Sequence, residues 1–159
     1  MSSSPHERLA GLALAGLLAA ALGGLAACAE GPQDLLKDGY YLAEAVDFDS
    51  QGWKEFLNIY VCDGRIVSAQ YDSRNSRGFL RSWDMADKRR SVLTMGTNQS
   101  KYSRAYTMAL LNRQDPALVT PIPGAAQAHP NFQRLAEAAM AQAKRGNKGA
   151  AFVSLQDRP

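Results

Sequence analysis

The chain has 159 residues, a formal net charge of +3 and two cysteines. This length suits one domain with a core of its own, and two cysteines are too few for a disulfide-rich scaffold. The charge is only mildly basic, and the longest basic block, Lys88-Arg89-Arg90, is typical of a solvated helix end. Binding to nucleic acid is therefore not expected.

The first residues have the pattern of an export signal. Residues 1–8 are polar, residues 9–25 are an unbroken run of Ala, Leu and Gly, and small residues then lead to Cys28. The run is shorter than the about 20 apolar residues of a spanning helix, which favours a signal peptide. The alternative is an uncleaved apolar helix in which the cysteine is incidental.

The sequence Leu25-Ala26-Ala27-Cys28 resembles the lipobox of bacterial lipoproteins. The resemblance implies that the chain is cut before Cys28 and that the thiol of this residue carries lipid. Two or three acyl chains hold a protein stably at a membrane. We therefore expect a signal peptide at 1–27, a tether at 28–36 and a domain at 37–155, anchored in the cell envelope and facing the periplasm or the exterior. Ala29, where an Asp would suggest inner-membrane retention, favours the outer membrane if one exists.

Few other residues carry chemistry. With Cys28 acylated, Cys62 has no disulfide partner and is expected to be a small buried hydrophobe. His129 has no Cys or His at ligand spacing, so a metal site is not expected. Phosphate loops, nucleophile elbows and nucleophile–base pairs are absent from the sequence. The protein is therefore interpreted as a carrier or binding protein rather than as a hydrolase or transferase.

The first half of the domain has the pattern of strands. Residues 40–48 and 53–62 are strand-like, and the second run has apolar residues on both faces, which predicts a strand covered on both sides. Asp63-Gly64 suits a type I′ turn, because both central positions of that turn need positive φ. Residues 66–71 then return. The sequence thus predicts a hairpin over 57–71, followed by a loop over 72–78.

The second half has the pattern of helices. Ser82 is a potential N-cap for a helix reaching Arg90, a second helix stops at Asp115-Pro116, and a third runs from near Pro130 to a Gly146 cap. Residues 152–155 are a potential edge strand. The apolar residues at helical spacing are Tyr102, Ala105, Tyr106, Ala109 and Leu110, then Phe132, Leu135, Ala136, Ala139, Met140 and Ala143. The predicted fold is α+β, with a single domain in which an antiparallel sheet packs against two or three helices.

Several short segments follow one another in an order that a known family shares. They are Asp38-Gly39-Tyr40-Tyr41, Gly52-Trp53-Lys54, the hairpin 61–67, Asn75 with Gly78, Gln114-Asp115-Pro116, Pro123-Gly124-Ala125 and the helix from Phe132. This order resembles the FMN-binding domain of membrane-anchored flavin lipoproteins of extracellular electron transfer, and it covers about residues 37–150. The resemblance implies an FMN cofactor, a role in electron transport and a redox partner protein.

The sharpest motif of that family is only partly present. It reads Asp, two variable residues, Ser or Thr, then Gly-Ala-Thr, and the last hydroxyl becomes the ester oxygen that joins FMN through its phosphate. Here Thr120 stands at the Asp position, Pro123 at the Ser/Thr position and Ala126 at the acceptor position, while Gly124 and Ala125 are kept. Because alanine has only a methyl group, no covalent flavin is expected, and any FMN is held noncovalently.

The candidate cofactor-binding residues are Gly124, Ala125, Ala126, Gln127, Trp53 and Asn75. Gly124 lets a backbone approach a ligand closely, and the amides of residues 125–127, just before a helix, suit a phosphate. Trp53, like Trp83 or a tyrosine, has a ring that can stack on a flavin, and Asn75 belongs to the shared pattern. The alternative is that Gly124 forms a turn and the aromatic rings belong to the core.

Two classes of function remain open at this point. The first is an electron carrier that holds FMN noncovalently, in which the cofactor supplies the redox chemistry. The second is a non-catalytic lipoprotein that uses the same scaffold to bind a partner protein or another small ligand. Fold alone does not separate them.

Overall fold

The computed structural model describes residues 35–155, which belong to one compact unit. The predicted signal peptide, the lipid attachment at Cys28 and most of the tether lie outside the described residues. The strands and helices are β1 (Gly39–Ala45), β2 (Lys54–Cys62), β3 (Arg65–Arg74), α1 (Met85–Met95), α2 (Gln99–Arg113), α3 (His129–Arg145) and β4 (Ala151–Val153). The predicted α+β class is confirmed. No helix within 35–155 is long and apolar enough to cross a membrane.

The predicted hairpin is confirmed as the pair β2–β3. Asp63 and Gly64 have φ of 51° and 70°, as a type I′ turn requires. The return strand is longer than predicted, because Asp72 and Ser73 continue the pairing instead of opening a loop. The Asp72 carboxylate accepts hydrogen bonds from the backbone N–H of Ser73 and of Ser82, which keeps this end of the strand ordered.

The sheet has the strand order β3-β2-β1-β4 and is mixed rather than wholly antiparallel. β1 pairs antiparallel to β2, whereas β4 lies parallel to β1 through Ala43↔Ala151. The prediction of an antiparallel sheet is therefore wrong at this edge. The physical reason is the connection that leads to β4. Helix α3 packs across the face of the sheet before β4 begins, so β4 runs in the same direction as β1, as after a crossover connection.

The helices cover one face of the sheet and build the core there. The predicted stripe of α3 is confirmed at Phe132, Leu135, Ala136, Ala139 and Ala143, which are all fully buried, while Met140 is half-buried. On the other face of β2, Phe56, Tyr60 and Cys62 are half-exposed, so the prediction of a strand covered on both sides is wrong within the described chain. Their rings and thiol lie on a face that no described helix covers.

Helix α1 begins and ends later than predicted. Asp84, not Ser82, is its N-cap, and the carboxylate accepts from the N–H groups of Ala86 and Asp87. Ser82 lies in a short 3₁₀ turn, Arg81–Trp83, just before it. The helix continues past Arg90 to Met95 and ends at Gly96 with φ of 71°. The basic triplet is therefore in the middle of the helix.

Candidate functional site

A cavity of about 180 Å³ opens between α1, α2 and the loop that precedes α3. The lining comes from α1, from Tyr102 of α2, from the loop before α3, and from Arg81 and Gln51. The lining residues are Gln51, Arg81, Asp87, Arg90, Ser91, Thr94, Met95, Tyr102, Gly124, Ala125, Gln127 and Ala128. The lining combines apolar residues with the charged residues Arg81, Asp87 and Arg90, so the cavity suits a small ligand that carries charge.

The loop wall is held by Gly124 and by helix α2. Gly124 has φ of 76°, and a Cβ there would lie 2.4 Å from the carbonyl oxygen of Met95, so only glycine allows this approach to the end of α1. The hydroxyl of Tyr106 donates to the Ala125 carbonyl at 2.9 Å and accepts from the Ile122 N–H at 3.2 Å. A buried α2 side chain therefore fixes the position of the loop.

Arg81 belongs to the cavity lining and interacts with four side chains. Its Nη1 lies 4.0 Å from Asp49 Oδ2. Its Nε and Nη2 donate to the two carboxylate oxygens of Asp87 at 3.0 and 3.1 Å, and Nη2 also donates to Gln51 Oε1 at 3.1 Å. The guanidinium lies 5.7 Å from the ring centroid of Trp53. Because Asp87 is buried, this fork neutralises most of the Arg81 charge.

Arg90 gives the cavity an uncompensated positive charge. It is exposed, and no ion pair with a carboxylate within residues 35–155 involves it. Ser91 follows Arg90 directly and adds a hydroxyl group to the lining. Thr94, one helical turn further on, also belongs to the lining, but its hydroxyl donates to the Arg90 carbonyl at 3.1 Å. The arrangement can therefore bind an anion through the Arg90 guanidinium and the Ser91 hydroxyl.

The predicted site residues are only partly brought together. Gly124, Ala125 and Gln127 line the cavity, and Ala126 lies beside them in the 3₁₀ turn Ala126–Ala128 without reaching the lining. The Ala125 N–H donates to the Ile122 carbonyl at 2.9 Å, so this amide is engaged within its own loop. The cofactor-binding role of these four residues stays a prediction.

Trp53 and Asn75 lie outside the cavity lining. Trp53 is behind Arg81, with one face of the ring towards the guanidinium. The Asn75 side chain accepts from the N–H groups of Arg77 and Phe79 at 3.0 Å each, which is the geometry of a polar turn. Trp83 is 67% exposed and lies edge-on to Phe79. None of these three residues is among the lining residues.

Sequence reasoning missed Gln51, Arg81, Asp87, Arg90 and Thr94 as site residues. Arg90 belongs to the basic triplet, which was interpreted only as a solvated helix end. Tertiary packing brings together Arg81, Asp87 and Gln51. Their spacing in the sequence does not indicate that they lie close to one another. The signal that was available is the α1 sequence, in which four consecutive charged residues, 87–90, are followed by a segment with three large apolar residues, 92–95.

A second polar group lies at the Asp63-Gly64 turn of the hairpin. Asp38, Cys62 and Asp63 bring three potential ligand atoms within 4.8 Å of one another. Asp38 Oδ1 accepts from the Gly64 N–H at 3.1 Å, so this carboxylate already holds the turn. The two carboxylates are exposed, and the group is explained by the turn.

The described residues form a small α+β domain with a cavity beside α1 that charged and apolar side chains line together. No protein-family model matches the chain. It is 33% identical to the 15 kDa lipoprotein of Treponema pallidum over 115 residues, which cover 72% of this chain and 82% of that protein. The chain belongs to the family of that lipoprotein. Membership is consistent with a lipid-anchored location in the cell envelope.

A solved structure shares the fold. The crystal structure of the CPE2226 protein from Clostridium perfringens is 29% identical, with a TM-score of 0.73. The match covers 77% of this chain and 100% of that one. The likeness supports the single α+β domain described above.

Proposed function

We propose that the mature protein is held in the cell envelope by lipid on Cys28. Two observations support this. The chain belongs to a lipoprotein family, and Leu25-Ala26-Ala27-Cys28 ends its apolar leader. A thiol at that position is the nucleophile that lipid attachment needs, and the attached acyl chains then supply the membrane affinity.

We further propose that the domain is a carrier that binds FMN noncovalently, with the phosphate of the cofactor in the cavity. The observation that carries this proposal is the lining itself. The residues that align with the flavin-attachment loop of the resembled family, Gly124, Ala125 and Gln127, share one cavity with the guanidinium of Arg90. A charge-assisted hydrogen bond to phosphate is about twice as strong as a neutral one, so Arg90 is the main anchor proposed.

The cavity fits the phosphate end of FMN better than the whole cofactor. Its volume of about 180 Å³ is below the 300–1,000 Å³ typical of sites that enclose a ligand. The aromatic lining residue, Tyr102, is buried and offers no open ring face for stacking. The flavin ring would therefore lie outside the cavity, open to solvent. Bound FMN would supply electron transfer, and the role of the chain would be to hold the phosphate and expose the ring to a redox partner.

The test compares FMN with riboflavin, which has the same ring and no phosphate. The unlipidated domain is titrated with each, following flavin fluorescence. We expect FMN to bind at least about tenfold more tightly, because only FMN meets the Arg90 guanidinium. Arg90→Ala should remove this preference, while Arg104→Ala, an exposed cation on α2 outside the lining, should leave it unchanged. Equal binding of both flavins, or of neither, would overturn the proposal.

A second function is favoured by the small volume of the cavity. In this alternative the protein is a non-catalytic binding lipoprotein, and the cavity takes a small anion rather than a flavin. Inorganic phosphate and ribose 5-phosphate are the probes. Binding of either with loss in Arg90→Ala, together with no flavin binding, would support this alternative over the electron carrier.

A further inference from the structure

Helix α1 is inverted with respect to an ordinary surface helix. Its buried residues are Asp87 and Ser91, both polar, while Met85, Val92, Leu93 and Met95 are exposed. An ordinary surface helix buries its apolar stripe and exposes its polar one. Leu93 is 87% exposed. The apolar residues of α1 therefore contribute little to the core of this chain.

The exposed apolar residues form a stripe on one side of the helix. Met85, Arg89, Val92 and Leu93 follow the spacing i, i+4, i+7 and i+8, which places them on one face. Arg90 and Thr94 line the cavity instead. Trp83 and Phe79, exposed and in edge contact, precede the helix and extend the apolar surface. We call Phe79, Trp83, Met85, Arg89, Val92 and Leu93 the outer α1 surface.

The outer α1 surface is also basic. Arg89 lies on this surface and Lys88 directly precedes it, and no ion pair with a carboxylate in the described part of the chain involves either cation. The carboxylates nearest in sequence are occupied, because Asp84 caps the helix and Asp87 binds Arg81. A second copy of this chain would bring the same cations face to face, which is unfavourable. The charge favours an acidic surface as the binding partner.

The position of the surface argues against the anchoring membrane as its partner. The described chain begins beside the hairpin turn, where the Leu36 carbonyl lies near Gly64. Helix α1 follows the other end of β3, where Asp72 binds Ser82. Ten residues of strand separate the two ends, which is roughly 30 Å. The residues that lead to Cys28 therefore join the domain about one strand length away from α1.

We propose that the outer α1 surface is the docking site for a protein of the envelope that presents an apolar groove bordered by acidic side chains. An amphipathic helix laid into such a groove buries residues at the spacing found here. The apolar stripe supplies the buried contact, and Arg89 with its neighbours supplies the charge pairing at the border. This inference does not depend on the identity of the ligand in the cavity, because the lining lies on the other side of α1.

The test uses the full-length chain in its native cells. A photoreactive benzoylphenylalanine replaces Leu93, and a matched chain carries it at Val67, which is exposed near the hairpin turn. We expect one main protein adduct from position 93 and none of the same protein from position 67. The adduct is identified by mass spectrometry, and that protein is then purified and titrated against the domain.

In the titration, Leu93→Ser should weaken binding by about tenfold or more, as for a buried anchor of an interface. Arg89→Glu should weaken it more at low salt than at high salt, and Val67→Ser should leave it unchanged. All three positions are exposed, so the variants should melt like the parent. A missing adduct at position 93, an adduct with a second copy, or Leu93-dependent co-sedimentation with phosphatidylglycerol vesicles would each overturn the proposal.

Discussion

The side-chain amide of Gln114 pairs with the main chain of Ile66 in both directions. The Ile66 N–H donates to Gln114 Oε1 at 2.8 Å, and Gln114 Nε2 donates to the Ile66 carbonyl at 2.9 Å. β3 is an edge strand, and its free N–H and C=O groups would otherwise be open to pairing with another chain. At Ile66, the Gln114 side chain therefore pairs with the two backbone groups that a neighbouring strand would otherwise bind.

Gln114→Asn is expected to lower the free energy of unfolding by about 1–3 kcal/mol, because the shorter side chain no longer reaches both groups of Ile66. Gln114 has φ of 60°, a conformation that asparagine tolerates well, so backbone strain does not account for the loss. Urea unfolding followed by circular dichroism measures the change. Gln70→Asn, on the exposed face of the same strand, is the control, and an equal loss there would contradict this role of Gln114.

Gly124→Ala should destabilise the domain more than Gly78→Ala. Both glycines have positive φ, 76° and 80°, so each alanine carries a similar conformational cost of about 1–2 kcal/mol. At Gly78 a Cβ meets nothing within 4 Å, whereas at Gly124 it meets the Met95 carbonyl. The shift of the loop should add roughly 1–3 kcal/mol. Thermal melts of the two variants compare them, and equal losses would show that the loop moves freely away from α1.

The parts of the fold that could be predicted from the sequence are those with local causes. Neighbouring residues determine the Asp63-Gly64 turn and the buried stripe of α3, and the sequence predicts both correctly. The parallel pairing of β4 with β1 joins residues that lie more than 100 positions apart, and no local pattern encodes its direction. The sequence predicts that α1 begins and ends too early. Its apolar residues face solvent, so they form no buried stripe that marks its extent, and its caps are Asp84 and Gly96.

The same distinction applies to the candidate site. The sequence predicts the loop at Gly124 as a binding site, because this loop resembles a known attachment motif. It does not predict Arg81 and Asp87 as site residues, because their ion pair becomes part of the cavity lining only when α1 folds against the loop. Periodicity indicates that Tyr106 lies on a helix, but it carries no information about the hydrogen bonds of the Tyr106 hydroxyl to the loop.

Substitutions of Arg81 and of Arg90 are expected to have different effects on the free energy of unfolding. Arg81→Ala leaves the buried Asp87 carboxylate without its fork, and breaking such a pair costs roughly 3 kcal/mol. Arg90→Ala removes an exposed cation and should change stability by less than about 0.5 kcal/mol. Chemical denaturation of both variants measures this difference. A large loss of stability in Arg90→Ala would contradict its assignment as a free ligand-binding group.

The mature protein from its native membrane is expected to begin at Cys28 and to carry lipid on that residue. Mass spectrometry of the N-terminal peptide should show an acylated cysteine, because a thiol there is the nucleophile of the lipidation reaction. Cys28→Ser keeps the size of the side chain and removes the thiol, so it should abolish the lipid and release the protein from membranes. Recovery of the native protein with Met1 intact would contradict the assignment.

Replacing one atom group tests whether the loop at Gly124 descends from a flavin-attachment loop. Ala126 lies in the 3₁₀ turn beside the cavity and is exposed, so a threonine there fits without a clash with the core. The native chain has no hydroxyl at this position, and co-expression with a flavin transferase should give no fluorescent band on a denaturing gel.

Ala126→Thr, combined with Thr120→Asp and Pro123→Ser, restores the full attachment pattern and should give a band, because the new hydroxyl can become the phosphoester oxygen. Ala126→Val is the matched control, since valine has the shape of threonine and no oxygen. Labelling of the valine variant or of the native chain would show that another residue is the acceptor. A restored variant that folds, as judged by its melting temperature, and still fails to label would show that the transferase does not recognise this loop. That result would count against the flavin ancestry of the site and in favour of the small-anion alternative.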